Sequence, residues 1–430
     1  MISFPEKSLP FRSRHALAWI MLGSVAGLLT PGQATATRLD LSAAERLLQQ
    51  QNPSLAAYQQ KIQALRHQAV AAAQLPDPHI SLGAVNLPTN NFSMNQQQMS
   101  MLSVGLSQTF PPFGQLALRG RQLRMEATAE TAIRAERAAE LRWLLQQSWI
   151  QAQVAHQERS ILQRQKRLDQ MTEQAAVDAY RAGRVDQAAV LRSQLALANL
   201  ENRMDQVRAQ QQTALARIAE LLGSTSALQL RWSWPHLQPP APLAALQMKL
   251  PGQPALQAAA ASSRAAALAV RVARTNLLPS ITVSTAYGQD FMPGSPNWLS
   301  IGVNLSLPIF PGDRQDQTIA AAQEKEMAAE DTYEEERLRL ARQIHTAYAQ
   351  FQAADAQYQR SEKTLLPLAT QTYRAELAGF IAGRTSMQSV LHAQNSVLET
   401  ALQALVAREN QALSSAELAY LATQYQGAQS

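Results

Sequence analysis

The chain has 430 residues, with 17 glycines, 21 prolines and only 16 % charged residues beside a 46 % hydrophobic share. Charge falls well short of the ~25 % of an ordinary domain; Ala and Gln replace it, a composition suited to long helices with close, partly polar seams. The absence of cysteine excludes a disulfide scaffold, a thiolate metal site and a cysteine nucleophile. The net charge of +6 is too small and too scattered for a nucleic-acid partner.

Residues 1–36 read as an export signal. Lys7, Arg12 and Arg14 precede an apolar stretch over 16–30, and Ala34-Thr35-Ala36 fits a small-x-small cleavage site before Thr37. The apolar stretch is short of the ~20 residues needed to span a bilayer as a helix, and Pro31-Gly32 ends it.

Beyond the signal the chain repeats itself at a spacing near 200. Asn52-Pro53-Ser54-Leu55 returns as Gln253-Pro254-Ala255-Leu256, and Leu75-Pro76 as Leu278-Pro279. Leu102-Ser103-Val104-Gly105-Leu106 returns as Leu299-Ser300-Ile301-Gly302-Val303, and Ala182-Gly183-Arg184 as Ala382-Gly383-Arg384. Such matches in one order imply a duplicated unit. The expected division is a first repeat over 37–222, a Trp- and Pro-rich connector or collar over 223–252, and a second repeat over 253–430.

Each repeat predicts a helix, a strand pair, a very long helix, a Gly turn and a returning helix. The first opening helix is expected to run unbroken over 42–75. Elbows follow the strand pairs: Pro111, Pro112 and Gly114 in the first repeat, Pro308, Pro311 and Gly312 in the second. Between Gly114 and Gly183 the chain has neither Pro nor any Gly except Gly120, a helix of about 100 Å at ~1.5 Å per residue. Its second counterpart is interrupted by Pro367 and Gly379. The returning helices carry 3–4-spaced stripes, Leu197 to Leu221 and Leu391 to Ala419, that read as helix–helix core.

The strands alternate with period two. Leu102, Val104, Leu106 and Phe110 lie on one face in the first repeat; Ile281, Val283, Thr285 and Tyr287, then Leu299, Ile301, Val303 and Leu305, do so in the second. The opposite face is small and polar. About ten residues is the length of a tilted membrane barrel strand, and Tyr287, Phe291 and Trp298 are placed as interfacial aromatics. Four strands cannot close a barrel, and open edges are not tolerated in lipid, so several chains must share one. Nothing supports an enzyme: there is no Gly-rich phosphate loop, HExxH or GxSxG. A periplasmic adaptor, with one hairpin and many β segments, and a structural coiled-coil envelope protein are the alternatives.

This order of elements, the elbow Gln108-Thr109-Phe110-Pro111-Pro112-Phe113-Gly114 and the turns Tyr180-Arg181-Ala182-Gly183-Arg184 and Gly383-Arg384-Thr385-Ser386 resemble the TolC-type outer membrane efflux proteins, over residues 39–422. The stretch from Asn86-Leu87-Pro88 to Phe110 is most like the heavy-metal efflux branch. The resemblance implies a mainly α fold with transmembrane β. Three chains would build a 12-strand barrel in the outer membrane and a 12-helix barrel across the periplasm. It also implies a periplasmic adaptor and an inner-membrane pump of the RND type as partners, with no cofactor. The periplasmic tips then fall at Gly183, Arg184, Val190 and Leu191, and at Gly383, Arg384, Thr385, Val390 and Leu391. Where relatives carry a carboxylate pair above the second tip, this chain has Ser389 and His392, so a carboxylate gate is in doubt and His392 is the candidate titratable ring. Met94, Met99 and Met101 are weighed as soft-metal contacts at the outer mouth and read chiefly as strand and loop filler.

Overall fold

The computed structural model describes residues 38–425 except 184, 225–228 and 236–239; the expected export signal lies outside them. Two helices open the chain, α1 (Leu41–Gln51) and α2 (Pro53–Ala71), followed by strands β1 (His79–Val85) and β2 (Met101–Phe110). The long helix α3 (Gln115–Arg181) turns back into α4 (Gln187–Leu221). After a short α5 (Leu243–Met248), the plan repeats: α6 (Pro254–Thr275), β3 (Ser280–Asp290), β4 (Trp298–Ser306), α7 (Gln317–Arg360), α8 (Leu366–Ile381) and α9 (Met387–Leu421).

The strands form one antiparallel sheet in the order β1-β2-β3-β4, so the two repeats are joined through β2 and β3. The register sets Ile80, Leu106, Thr285 and Ile301 in one row, and Leu82, Val104, Tyr287 and Leu299 in the next. Ile80, Leu82, Leu299 and Ile301 are each about 70 % exposed or more, so this apolar face has no partner within the chain. The other face carries Ser81, Gly105, Ala286 and Ser300 in one row. Trp298 stands at the start of β4, pairs with Gly288 and lies in the small, polar row. Parity decides this, because Leu299 takes the apolar face.

The opening helix is not continuous. It breaks at Asn52, whose side chain accepts from Ser54 N at 3.0 Å and donates to the Leu221 carbonyl at 2.9 Å. Pro53 has no N–H to continue the ladder, and the α2 helix ends at Ala71, ahead of the prolines. The second repeat repeats the contact: buried Gln253 donates to the Leu421 carbonyl. The Asn-Pro and Gln-Pro motifs are therefore amide keys that satisfy the orphan carbonyls at the end of each returning helix.

The core is duplicated in the same way. Leu48, Leu55, Leu141, Leu145, Ile218 and Leu221 form the first cluster; Leu246, Leu256, Leu340, Ile344, Leu418 and Leu421 form the second. Each such Leu or Ile, fully buried, contributes about 1.5–3 kcal/mol. Leu418 rather than the expected Ala419 continues the α9 stripe, since Ala419 is exposed and Leu418 turns into this second cluster. Between the clusters α3 and α9 meet through Ile150, Val154, Leu405, Ala412 and Ala416. Ala127, Ala132, Ala139, Ala152 and Ala155 are buried along α3, where small side chains let neighbouring helices approach closely. The 223–252 segment is pinned to these helices by Trp232, stacked on His156 at 4.2 Å, and by Trp234, with the Arg408 guanidinium 4.2 Å from its ring centre.

The second long helix differs from the first. It opens with a π turn (Gly312–Asp316) and contains another (Ser361–Leu365) directly before Pro367. The extra residue in such a turn absorbs the carbonyl that proline cannot serve. Gly114 is left-handed at φ 81°, whereas Gly312 is not and leads into the π turn instead.

Glu136 of α3 accepts a hydrogen bond from Tyr420 of α9, which stacks on Trp143 at 5.3 Å. Burial pushes the Glu136 carboxyl above the usual carboxylate range, and the Tyr420 bond only partly offsets it. The folded chain thus holds this proton more tightly than the unfolded chain, so the site loses stability as pH rises through the raised range. Glu136→Gln keeps the acceptor and removes the charge. It should raise the melting temperature at neutral pH by a few degrees, and flatten its dependence on pH between mildly acid and neutral. Asn52→Ala should cost roughly 1–3 kcal/mol, read as a lower midpoint in a thermal melt followed by circular dichroism.

Candidate functional site

The two Gly turns have one construction. At the first, Ala182 N donates to Asp178 O at 3.1 Å and Gly183 N to Tyr180 O at 2.9 Å, with Gly183 at φ 66°. At the second, Ala382 N donates to Ala378 O, Gly383 N to Phe380 O and Arg384 N to Gly379 O at 2.8 Å, with Gly383 at φ 70°. The bond from Arg384 N closes a Schellman-type helix end, whose left-handed residue is best filled by glycine. The returning helices start on matched caps 200 positions apart. Asp186 accepts from Ala189 N at 2.9 Å, and Ser386 accepts from Ser389 N at 3.2 Å.

Among the expected tip residues, Arg184 lies outside the described residues. Arg384 is exposed and makes no ion pair among the described residues; its backbone, not its guanidinium, holds the turn. Thr385 donates to the Glu376 carbonyl at 2.9 Å. A side chain at position 379 would meet Thr385 Cγ2 at 2.8 Å, so Gly379 makes room for that lock. The valine–leucine pairs behave differently from each other. Val390 is buried and Leu391 half-buried, but Leu191 is 55 % exposed and Val190 only half-buried. Packing within the chain therefore accounts for Val390 alone.

Ser389 and His392 do not meet. Ser389 belongs to the α9 cap, with its hydroxyl 3.1 Å from that of Ser386, and His392 is exposed one turn on. The acidic run at 331–336 lies on a solvated helix face, where Glu334 and Glu336 pair with Arg337 and Arg339. Met101 is buried in the polar-face row opposite Asp290, and Met99 is exposed at φ 68°. No group of three or more His, Cys, Asp or Glu suited to a metal ion occurs among the described residues.

Sequence reasoning passed over the apolar surface around the tips. Tyr180, Leu195, Leu368 and Ile381 are exposed, Ile381 at 79 %. The signal was present in the i, i+4 pair Leu191 and Leu195, whose stripe continues past the residues that α3 covers. No described helix is long and apolar enough to cross a membrane.

Residues 245–423 match the family model for the outer membrane efflux protein. The cobalt-zinc-cadmium resistance protein CzcC of Cupriavidus metallidurans is 31 % identical over 223 residues, 52 % of this chain and 50 % of that protein. The chain spans about half the length of the curated relatives it matches. The structure of CusC, described as undergoing conformational changes on folding and transmembrane channel formation, superposes at a TM-score of 0.75. It shares 18 % identity and covers 90 % of this chain and 92 % of that one. The outer-membrane channel OprN does so at 0.76, with 17 % identity and 90 % of each chain covered. The fold is thus that of these channels through both repeats, including the first, which lies outside the family match.

Gly383→Ala places a Cβ in the left-handed region and should destabilise the second tip by about 1 kcal/mol. Faster proteolytic nicking at the turn, with an unchanged global melting temperature, would be the readout.

Proposed function

We propose that this chain is one subunit of a passive efflux duct in the outer membrane, with its helices in the periplasm. The observation that carries the reading is the sheet. It has an apolar face suited to lipid, and both outer edges, on β1 and β4, find no partner among the described strands. Backbone groups at such edges cannot be left unpaired in a bilayer, and three copies supply twelve strands, an even number within the range of closed barrels. An adaptor would carry one helical hairpin; this chain carries two, each continuous with a strand pair.

The tips at Gly183 and Gly383, with Arg184, Arg384, Thr385, Val190, Leu191 and Leu391, are the docking surface for a periplasmic adaptor, and an inner-membrane pump of the RND type supplies the energy. Exposed Leu191, Leu195 and Ile381 support a partner there, because apolar surface of this kind is otherwise costly in water. Opening is a shift between closed and dilated tips, biased by the adaptor's preference for one of them. The cargo is small solutes, with heavy-metal ions suggested by the CzcC relative.

The native mass of the protein, extracted from outer membranes in mild detergent, tests the shared barrel. A complex of three chains is expected. A stable monomer, or recovery in the soluble periplasmic fraction, would sink the duct.

A further inference from the structure

Where the polar face of the sheet meets the helices, a cavity of about 570 Å³ opens between α3 and the start of the second long helix. Thr109 brings the polar row of the sheet to its upper edge, and Gln115, Asn276 and Thr318 line it below. Its only charged lining groups are the guanidiniums of Arg119 and Arg314. Neither has an ion pair or a side-chain hydrogen bond among the described residues. The carboxylates nearest in sequence, Asp313 and Asp316, do not line it. The same space receives the start of α3, which has no side-chain cap and no acidic residue in its first turn, so the helix dipole adds to the positive potential.

Two exposed guanidiniums without side-chain partners on the wall of one open cavity, with neutral hydrogen-bonding amides and hydroxyls around them, make a site for an oxyanion. A guanidinium fork matches a carboxylate, phosphate or sulfonate group, and a cleft lined by charge of one sign raises the local concentration of counter-ions. We propose that Arg119 and Arg314 form an anion-binding collar at the foot of the barrel, recruiting small oxyanions and anionic solutes and disfavouring free cations. The collar rests on the duct reading for its repetition in three subunits, which would set six guanidiniums around one lumen. It narrows that reading: a metal ion passing this level without ligands is repelled, whereas an anionic complex or an organic anion is attracted.

The absence of cysteine makes the test direct. Thr318→Cys places a single thiol in the wall, and its rates of modification by a sulfonate-bearing and a trimethylammonium-bearing methanethiosulfonate are compared on the detergent-extracted full chain. The sulfonate reagent should react faster. Adding Arg119→Gln and Arg314→Gln should lower the anion-to-cation rate ratio about tenfold, and inorganic phosphate should slow the sulfonate reagent only while the arginines are present. A charge-keeping pair, Arg119→Lys with Arg314→Lys, should hold the ratio and shows that a fall is not misfolding. A ratio unmoved by the Gln pair would overturn the collar. Native mass on the same samples separates the two readings: a monomer with the ratio intact would remove the duct and leave the anion site standing.

Discussion

Unpaired backbone hydrogen-bonding groups at the edge of a lipid-facing sheet are the constraint on which the rest of this molecule depends. β1 and β4 each pair on one side only, and bilayer hydrocarbon offers no water to serve the other. Once the sheet closes with other copies, geometry passes down the chain, because each strand runs through an elbow into a helix of α2, α3, α6 or α7. Neighbouring strands lie ~4.8 Å apart and, tilted by about 45°, occupy about 7 Å of circumference each. Packed helices need ~8–10 Å. The buried alanines of α3 bring helix spacing toward the lower limit, and the Pro/Gly elbows absorb what difference remains. In the proposed duct, the alanine-rich, charge-poor composition serves to match two barrels of equal element number.

The duplication is more than a sequence echo. Each repeat closes its own core with matching leucines and isoleucines, and each locks its returning helix with a buried amide, Asn52 or Gln253, on the last carbonyls. The copies have diverged in their long helices and at their tips. The first long helix is a continuous 67-residue α-helix, while the second is interrupted by π turns at Gly312–Asp316 and Ser361–Leu365. The first tip leaves Leu191 on the surface; the second buries Val390 and adds the Thr385 lock over Gly379. One hairpin is thus built plainly and offers apolar surface, and the other is tied at its end and carries π turns that vary the helix along its length.

Charge is distributed with the same economy. The acidic run on α7 is neutralised locally by arginines three residues on, at about the few tenths of a kcal/mol that exposed helix pairs contribute. Glu136 stands apart because it is buried between α3 and α9, where burial raises its carboxyl above the usual range and the hydrogen bond donated by Tyr420 partly offsets this. His156 is likewise held below its usual range by burial under Trp232. These buried groups sit where the connector and the two repeats converge, and they tie elements remote in sequence.

Much of this was legible in the amino-acid order. Period-two alternation determined which face of each strand is apolar, since side-chain parity is a local property of extended chain. The long Pro- and nearly Gly-free stretch determined α3, and the recurrence at 200 determined that the plan is used twice. Gly183 and Gly383 were recognisable as turns because few other residues adopt a positive φ at no cost. Tertiary structure alone decided what those elements meet. The opening helix reads as unbroken through Asn52 until that side chain is seen to cap α2 at Ser54 N and to donate to the Leu221 carbonyl, 169 residues away. Arg119 and Arg314, nearly 200 residues apart, become neighbours across one cavity only when β2 and β3 pair. Local sequence specifies periodicity and backbone conformation; which groups are left without a partner is a property of the whole packed chain.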